Sequence, residues 1–277
     1  MDRKVSVILS FYNEDIMLLK QSIESILKQT FNDLELIIIS DNPKNYKCIK
    51  YVEEVKKIDS RIIFIQNHTN KGLVYCLNKG IEISSGKYIV RMDADDISYK
   101  NRIEEQVNYM EDNNYIDLLG SEVDLIDEDG NFIKSNIINR SKKEVNIMKI
   151  LSYGNLFIHP SIIFRRKLID EIGGYRDVKY AEDYDLILRC ISNNKRIRIL
   201  NKRLLKYRVR KSGVSRSNTD KQMISTCYIN ELYKNKKMEE FTNEENEQRI
   251  NKNLSIVDKI KINKNKIIFI ILSKVLN

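Results

Sequence analysis

The chain contains no tryptophan, two prolines, nine glycines and four cysteines. So little glycine and proline excludes collagen-like and low-complexity material. Cys48, Cys76, Cys190 and Cys227 lie far apart, with no CxxC and no Cys/His pairing. Neither a zinc site nor a disulfide framework has anything to build on, and reduced thiols are expected. No stretch reaches the ~18 apolar residues that a membrane span needs. The opening Met1-Asp2-Arg3-Lys4-Val5 has too short an apolar run for a signal peptide. These absences predict a soluble, cytoplasmic chain. What is present is 42% hydrophobic and 31% charged residues over 277 positions, too apolar for a disordered chain. The length suits one large domain, or one domain of roughly 200 residues with an appendage.

The charge is unevenly placed. Residues 1–188 hold 26 Lys+Arg against 31 Asp+Glu, whereas residues 189–277 hold 22 against 8. A basic third suits nucleic acid, an anionic membrane surface or a phosphorylated substrate, and equally a solvated lysine-rich surface. Composition does not choose among them.

Short apolar runs alternate with helical patterns along the first hundred residues. Val5–Leu9, Leu34–Ile39, Ile62–Ile65 and Tyr88–Met92 read as buried strands. Between them Ile16, Leu19, Ile23, Ile26 and Leu27 form one helical stripe, with Asn13 as its expected cap and Glu14 and Asp15 in its first turn. Further helices are expected around Cys48–Ile58 and from about Leu73 to Ile83. Strand and helix repeated in this order predict an α/β fold, a Rossmann-like and mostly parallel sheet flanked by helices.

After residue 100 a helix is expected near Arg102–Asn113. A strand at Ile116–Val123, a turn at Asp127–Gly130 and a short partner strand follow. A helical stretch over Lys142–Leu151, an apolar run at Ser161–Phe164 and a helix over Ala181–Ile191 complete the expected elements. Residues 1–215 form the expected domain, and the lysine-rich, poorly amphipathic residues 216–277 a basic helical extension.

The strongest local signal is Asp93-Ala94-Asp95-Asp96, directly after the strand Tyr88–Met92. Ligands of parallel α/β sheets bind at the carboxyl ends of strands. Three carboxylates within four residues repel one another, which raises their pKa values or calls for a cation. All-oxygen ligands suit Mg²⁺ or Mn²⁺. The alternative is a helix start, with Asp95 or Asp96 as the cap of the helix containing Ile103 and Val107.

Asp41 follows its strand in the same way. It is placed to accept from a base N–H or a ribose hydroxyl, or serves only as a turn former. Glu182, Asp183 and Asp185 crowd the start of a helix, where the dipole favours acids. Asp183 is the candidate general base for deprotonating an attacking hydroxyl, with Glu182 as its neighbour. His159, in His159-Pro160-Ser161, is either a satisfied structural group or part of an acceptor site.

Seven segments occur in order: Val5–Glu14, Asn70-Lys71-Gly72-Leu73, Leu77-Asn78-Lys79-Gly80, Arg91–Asp96, His159-Pro160-Ser161, Gly173-Gly174-Tyr175 and Ala181–Leu186. Together they resemble family 2 of the inverting nucleotide-sugar glycosyltransferases, with the GT-A fold, over residues 5 to about 215. The resemblance implies a donor site formed by Phe11, Tyr12, Asn13 and Glu14 along the nucleotide and Asp41 at the uracil. Asn70, Gly72, Asn78 and Asp93 are implied to line the same site, with Asp93 on the ribose side. Asp95 would bind the Mn²⁺ or Mg²⁺ that bridges the diphosphate. Asp183 matches the catalytic base, and His159 and Glu182 fall on the acceptor side.

The implied reaction moves one sugar from a UDP-sugar to a glycan or lipid-linked glycan in bacterial surface polysaccharide biosynthesis. There are departures from the family pattern. Ser40-Asp41-Asn42-Pro43 stands where two acids and a glycine are common, and Arg210 where a histidine is common; Arg208, Arg210 and Lys211 are implied diphosphate contacts. The Gln-x-x-Arg-Trp of processive synthases cannot occur without tryptophan, so a non-processive, hexosyltransferase-type enzyme is expected.

An acceptor anchored at the inner membrane face would give the basic tail a task. Lys264, Lys266 and Lys274 flank the apolar run Ile267–Leu272, which predicts peripheral membrane contact or docking on the domain. A nucleotidyltransferase shares the sheet and the carboxylates, but Ser10–Glu14 has none of the Gly or Lys of its phosphate loop. A nucleic-acid partner is not expected, because Tyr207, Tyr228 and Tyr233 are too scattered to form a stacking surface.

Overall fold

The computed structural model describes residues 4–136, 151, 153–210, 219–252 and 263. The expected helix over Lys142–Leu151 falls outside them except for Leu151, as do Lys211 and the segment 264–276.

The first half follows the expected alternation. Strands β1 (Val5–Phe11), β2 (Leu34–Ser40), β3 (Ile62–Gln66) and β4 (Tyr88–Asp93) pair in parallel in the order β3-β2-β1-β4. In-register partners are Phe11 with Ser40 and Ser10 with Asp93, so the ends of β1, β2 and β4 share one sheet edge. Side chains alternate between the two faces of the sheet. On one face Val5, Val7, Leu9 and Phe11 share a core with helices α1 (Ile16–Leu27), α2 (Tyr46–Ile58) and α4 (Arg102–Asp112). On the other, Ile8 packs with Leu77 and Ile81 of α3 (Leu73–Ile83). Gly80 of α3 allows this, since a Cβ there would run into the Ile8 side chain. Helix α1 begins two residues later than Asn13 predicts: Asp15 is its cap and accepts from the Met17 N–H at 2.7 Å.

Beyond β4 the sheet changes direction. A short β5 (Ile97–Ser98) is followed by α4, then by β6 (Leu118–Ile126) and its hairpin partner β7 (Phe132–Asn136). Strand β8 (Ile163–Arg165) runs antiparallel to both β4 and β6. Helices α5 (Arg166–Ile172) and α6 (Glu182–Ser192) lead to β9 (Ile197–Arg208), which lies parallel to β6 and antiparallel to β5. The result is a curled mixed sheet of nine strands between helices. Sequence patterning did not separate β9 from loop, for a physical reason. Asn201, Lys202 and Arg203 interrupt its apolar alternation at the irregularity where Leu200 faces Ser121 and Arg203 faces Glu122.

Helix α6 is nearly enclosed, with Tyr184 through Ile191 all buried. Its first turn is fastened by Asp185, which is fully buried and ion-paired to Arg176 and to Arg189 Nε at 2.8 Å. Arg189 also donates to the carbonyls of Ile172 and Gly174, both at 2.7 Å, so the pair ties α6 to the segment before it. Helices α7 (Thr219–Lys234) and α8 (Asn243–Asn251) follow. Tyr228, Ile229, Leu232 and Met238 join the core that holds α6. Among the described residues no helix is long and apolar enough to cross a membrane.

Candidate active site

Asp93 ends β4, and its backbone carbonyl is held by Ser22 Oγ at 2.7 Å. The turn that follows turns Asp93, Asp95 and Asp96 inward, with one oxygen of each within 4.8 Å of the others. Neither Asp95 nor Asp96 caps α4, whose cap position is Asn101. Asp96 is 1% exposed; its Oδ1 accepts the Arg208 N–H at 2.7 Å, while its Oδ2 has no partner among the described residues. An orphaned buried carboxylate oxygen is costly unless a proton or a cation meets it. Burial, followed by the Asp93 charge, raises the Asp95 pKa to about 6, and the same causes push Asp96 well above the ordinary carboxylate value. Three converging carboxylates with an unsatisfied oxygen fit a hard divalent cation.

Two arginines hold this turn. Arg102, fully buried on α4, donates to Ser98 Oγ at 3.1 Å and to the Arg91 carbonyl at 2.9 Å. Arg208, at the end of β9, donates to the carbonyls of Asp95 (2.8 Å), Asp127 (3.1 Å) and Glu128 (2.9 Å) and to Gln21 Oε1 (2.7 Å). The structure therefore gives Arg208 a different task from the expected diphosphate contact: it is a strut joining the acidic turn to the β6–β7 hairpin. Arg210 does face the site, with Nε 2.8 Å from Asp95 Oδ2. Glu14 lies close enough for Arg210 and Asp93 to act on it, and burial raises its pKa.

The other residues expected at the donor site lie on the β1 and β2 ends, on the loop before α3 and on α3 itself. Phe11 buries its ring in the core, while its carbonyl accepts the Asp41 N–H at 2.8 Å. Tyr12 is exposed, and Asn13 Oδ1 accepts from Asn42 Nδ2 at 2.6 Å. Asp41 is buried and organises the next loop: its carboxylate accepts from Asn67 Nδ2 and from the backbone N–H groups of Lys71 and Gly72, at 2.8, 2.9 and 2.8 Å. Gly72 is needed there for its φ of +88°. Asn70 Oδ1 accepts from the same Gly72 N–H at 3.0 Å. Asn78 is a clamp across the fold, donating to the Tyr175 carbonyl and accepting its N–H, both at 2.8 Å.

Asp183 and Glu182 open α6. Asp183 Oδ1 accepts the Tyr184 N–H and its Oδ2 accepts from Asn155, each at 2.8 Å. Burial raises the pKa of Asp183, and burial followed by the Asp183 charge raises that of Glu182 to about 7. His159 Nε2 and Tyr175 Oη lie 2.9 Å apart, and burial, reinforced by Arg91, holds the imidazole neutral with a pKa well below its ordinary value.

Between the two acidic groups stands a residue the sequence reading did not single out. Arg91, on β4 and 5% exposed, ion-pairs with Asp93, and its charge lowers the pKa of Asp95, Asp96, Glu182 and Asp183 alike. Its place two residues before Asp93 on the same strand was the signal that could have found it. Asn155 had no comparable signal, because its contact with Asp183 spans 28 residues.

This arrangement coincides with a sequence match: the profile of Glycosyl transferase family 2 covers residues 6–173. The chain belongs to that family. It is 40% identical over 234 residues to the uncharacterized glycosyltransferase MJ1057 of Methanocaldococcus jannaschii, covering 84% of this chain and 80% of the relative. It is 34% identical over 215 residues to the O-antigen biosynthesis glycosyltransferase WbnJ of Escherichia coli, covering 77% and 82%. Among solved structures, mannosyltransferase PcManGT of Pyrobaculum calidifontis in complex with GDP-Man and Mn²⁺ superposes with a TM-score of 0.65 at 13% identity, over 98% of this chain and 86% of that one. At that identity the superposition speaks for the fold, which is the GT-A-like architecture expected. This family 2 protein is thus a glycosyltransferase.

Proposed function

We propose that this glycosyltransferase moves one sugar, with inversion, from a nucleoside diphosphate sugar to a hydroxyl of a glycan or lipid-linked glycan in surface polysaccharide biosynthesis. One observation carries the reading: the single guanidinium of Arg91 acts both on the carboxylate cluster Asp93, Asp95 and Asp96 and on the acids Glu182 and Asp183. One side of the crevice then suits a diphosphate and the other an incoming hydroxyl. The surface-polysaccharide assignment draws on the similarity to WbnJ, whose name gives O-antigen biosynthesis. Uridine as the nucleotide comes from the sequence resemblance, whereas PcManGT holds GDP-Man.

In this reading Asp183 takes the proton of the acceptor hydroxyl. The freed oxygen attacks the anomeric carbon from the face opposite the diphosphate, and the bond from that carbon to the phosphate oxygen breaks. The proton stays on Asp183 and the nucleoside diphosphate leaves. Tyr12, Asn13, Glu14 and Asp41 border the nucleotide, and Arg210 supplies positive charge beside Asp95. A divalent cation on Asp95, with Asp93 and Asp96, would neutralise the charge that develops on the leaving diphosphate.

The decisive experiment is a panel of UDP- and GDP-sugars assayed for cation-dependent nucleotide release, with the anomeric configuration of the product read by NMR. A single accepted donor and inverted product are expected. A retained configuration, or release independent of cation, would overturn the mechanism. Peripheral membrane contact through residues 264–276 belongs to the same proposal. A chain ending at Lys252 keeps the core helices, and its binding to anionic vesicles should fall below that of the full chain; equal binding removes the contact.

A further inference from the structure

Asp183 is fixed by two donors of different origin. The Tyr184 N–H is supplied by the helix itself, but Asn155 comes from a separate segment. The orientation of Asn155 is itself set: its Oδ1 accepts the Phe157 N–H at 2.9 Å. An amide has one accepting and one donating end, so fixing Oδ1 turns Nδ2 toward Asp183. Phe157 is in turn seated on β6 at Gly120, where a Cβ would collide with the phenyl ring. The relay therefore runs from the sheet through Phe157 and Asn155 to the carboxylate.

We propose that Asn155 is the positioning residue of the base, holding the Asp183 carboxylate ionised and in one plane, aimed at the acceptor hydroxyl. The inference rests on the reading of Asp183 as the base. Without Nδ2, the half-buried Asp183 Oδ2 loses its donor among the described residues, and the carboxylate becomes both harder to ionise and free to rotate. The charged and titratable groups around it are Glu182 and Tyr184 on its own helix, Arg91 from β4, and Tyr175 from the segment ahead of α6. Of these Arg91 alone is a cation, and it also serves Asp93, Asp95 and Asp96. Among the described residues Asn155 is the side-chain donor to Asp183.

The test measures kcat and donor KM against pH for the wild type, Asn155→Ala, Asn155→Asp and Asp183→Ala, with thermal unfolding of each. Loss of a hydrogen bond to a charged group lowers kcat of Asn155→Ala roughly 10- to 100-fold. Donor KM stays within about twofold because the defect lies on the acceptor side. The acid limb of kcat moves up by about one pH unit. Asn155→Asp, which replaces the donor with an acceptor, falls further at neutral pH. A normal acid limb in Asn155→Ala, whether kcat falls or not, overturns the inference and leaves Asp183 as the base. Turnover retained by Asp183→Ala overturns the base assignment itself, and the role of Asn155 with it.

Discussion

Arg210 Nε lies 2.8 Å from Asp95 Oδ2, so the carboxylate expected to hold a cation already has a positive partner. A cation reaching that oxygen must share it with the guanidinium or displace it toward the diphosphate. A planar, always-charged fork suits both a carboxylate and a phosphate, so this pairing is compatible with the diphosphate contact proposed for Arg210.

Asp95→Ala should remove cation-dependent turnover, a loss of about a thousandfold if the ion contributes several kcal/mol to the departing diphosphate. Calorimetric titration with Mn²⁺ should show no binding to this variant at concentrations that saturate the wild type. Wild-type-like Mn²⁺ affinity would place the ion elsewhere.

The acidic turn predicts a pH-dependent response to cation. A carboxyl whose pKa is higher in the folded chain than in the unfolded one favours folding when protonated, so its stabilisation is present at low pH. For Asp95, raised to about 6, that stabilisation is lost as pH rises from the ordinary carboxylate value through 6. A divalent ion competes with those protons, so Mn²⁺ should raise the melting temperature more at pH 7.5 than at pH 5. An equal or reversed increment would contradict cation binding at these carboxylates.

Asp183→Ala should lower kcat by about 10²- to 10⁴-fold, the range for losing a general base, while leaving donor affinity nearly unchanged. In the wild type burial raises the pKa of the proposed base Asp183 above the ordinary carboxylate value. Turnover should therefore begin to decline at a pH above the ordinary carboxylate value as acid is added. Donor affinity that collapses in Asp183→Ala would move this residue to the nucleotide side.

Arg208→Met should destabilise the fold by about 3 kcal/mol, because the carbonyls of Asp95, Asp127 and Glu128 and the Gln21 side chain lose their buried donor together. For a domain of this size that is roughly 6–12 °C of melting temperature. The same variant should bind Mn²⁺ more weakly, since the strut also holds the Asp95 backbone. An unchanged melting temperature would show that Arg208 is not structural.

Gly174→Ala tests the clamp at Tyr175. A Cβ at this position would collide with Asn78 Oδ1, which already accepts the Tyr175 N–H. Overpacking of about 1–3 kcal/mol is expected, read as a shift of the urea midpoint. No shift would mean that the clamp relaxes freely.

The first four strands, their flanking helices and the acidic turn at a strand end are legible in the amino-acid order alone. Those rest on short-range periodicity, and periodicity is written locally: Val5, Val7 and Leu9 alternate, and Asp93 follows its strand directly. The same order also placed Asp183 at a helix start.

The task of each polar group emerges only on folding, because a hydrogen-bond partner is chosen by proximity in space. Arg208 became a strut, Asn78 a clamp and Asp41 a loop organiser through contacts with residues dozens of positions away. Strand β9 needed β6 beside it before its broken pattern meant anything. Only the folded sheet brings Arg91 between two sets of acids and turns Asn155 toward Asp183, and the electrostatics of the crevice follow from those two placements.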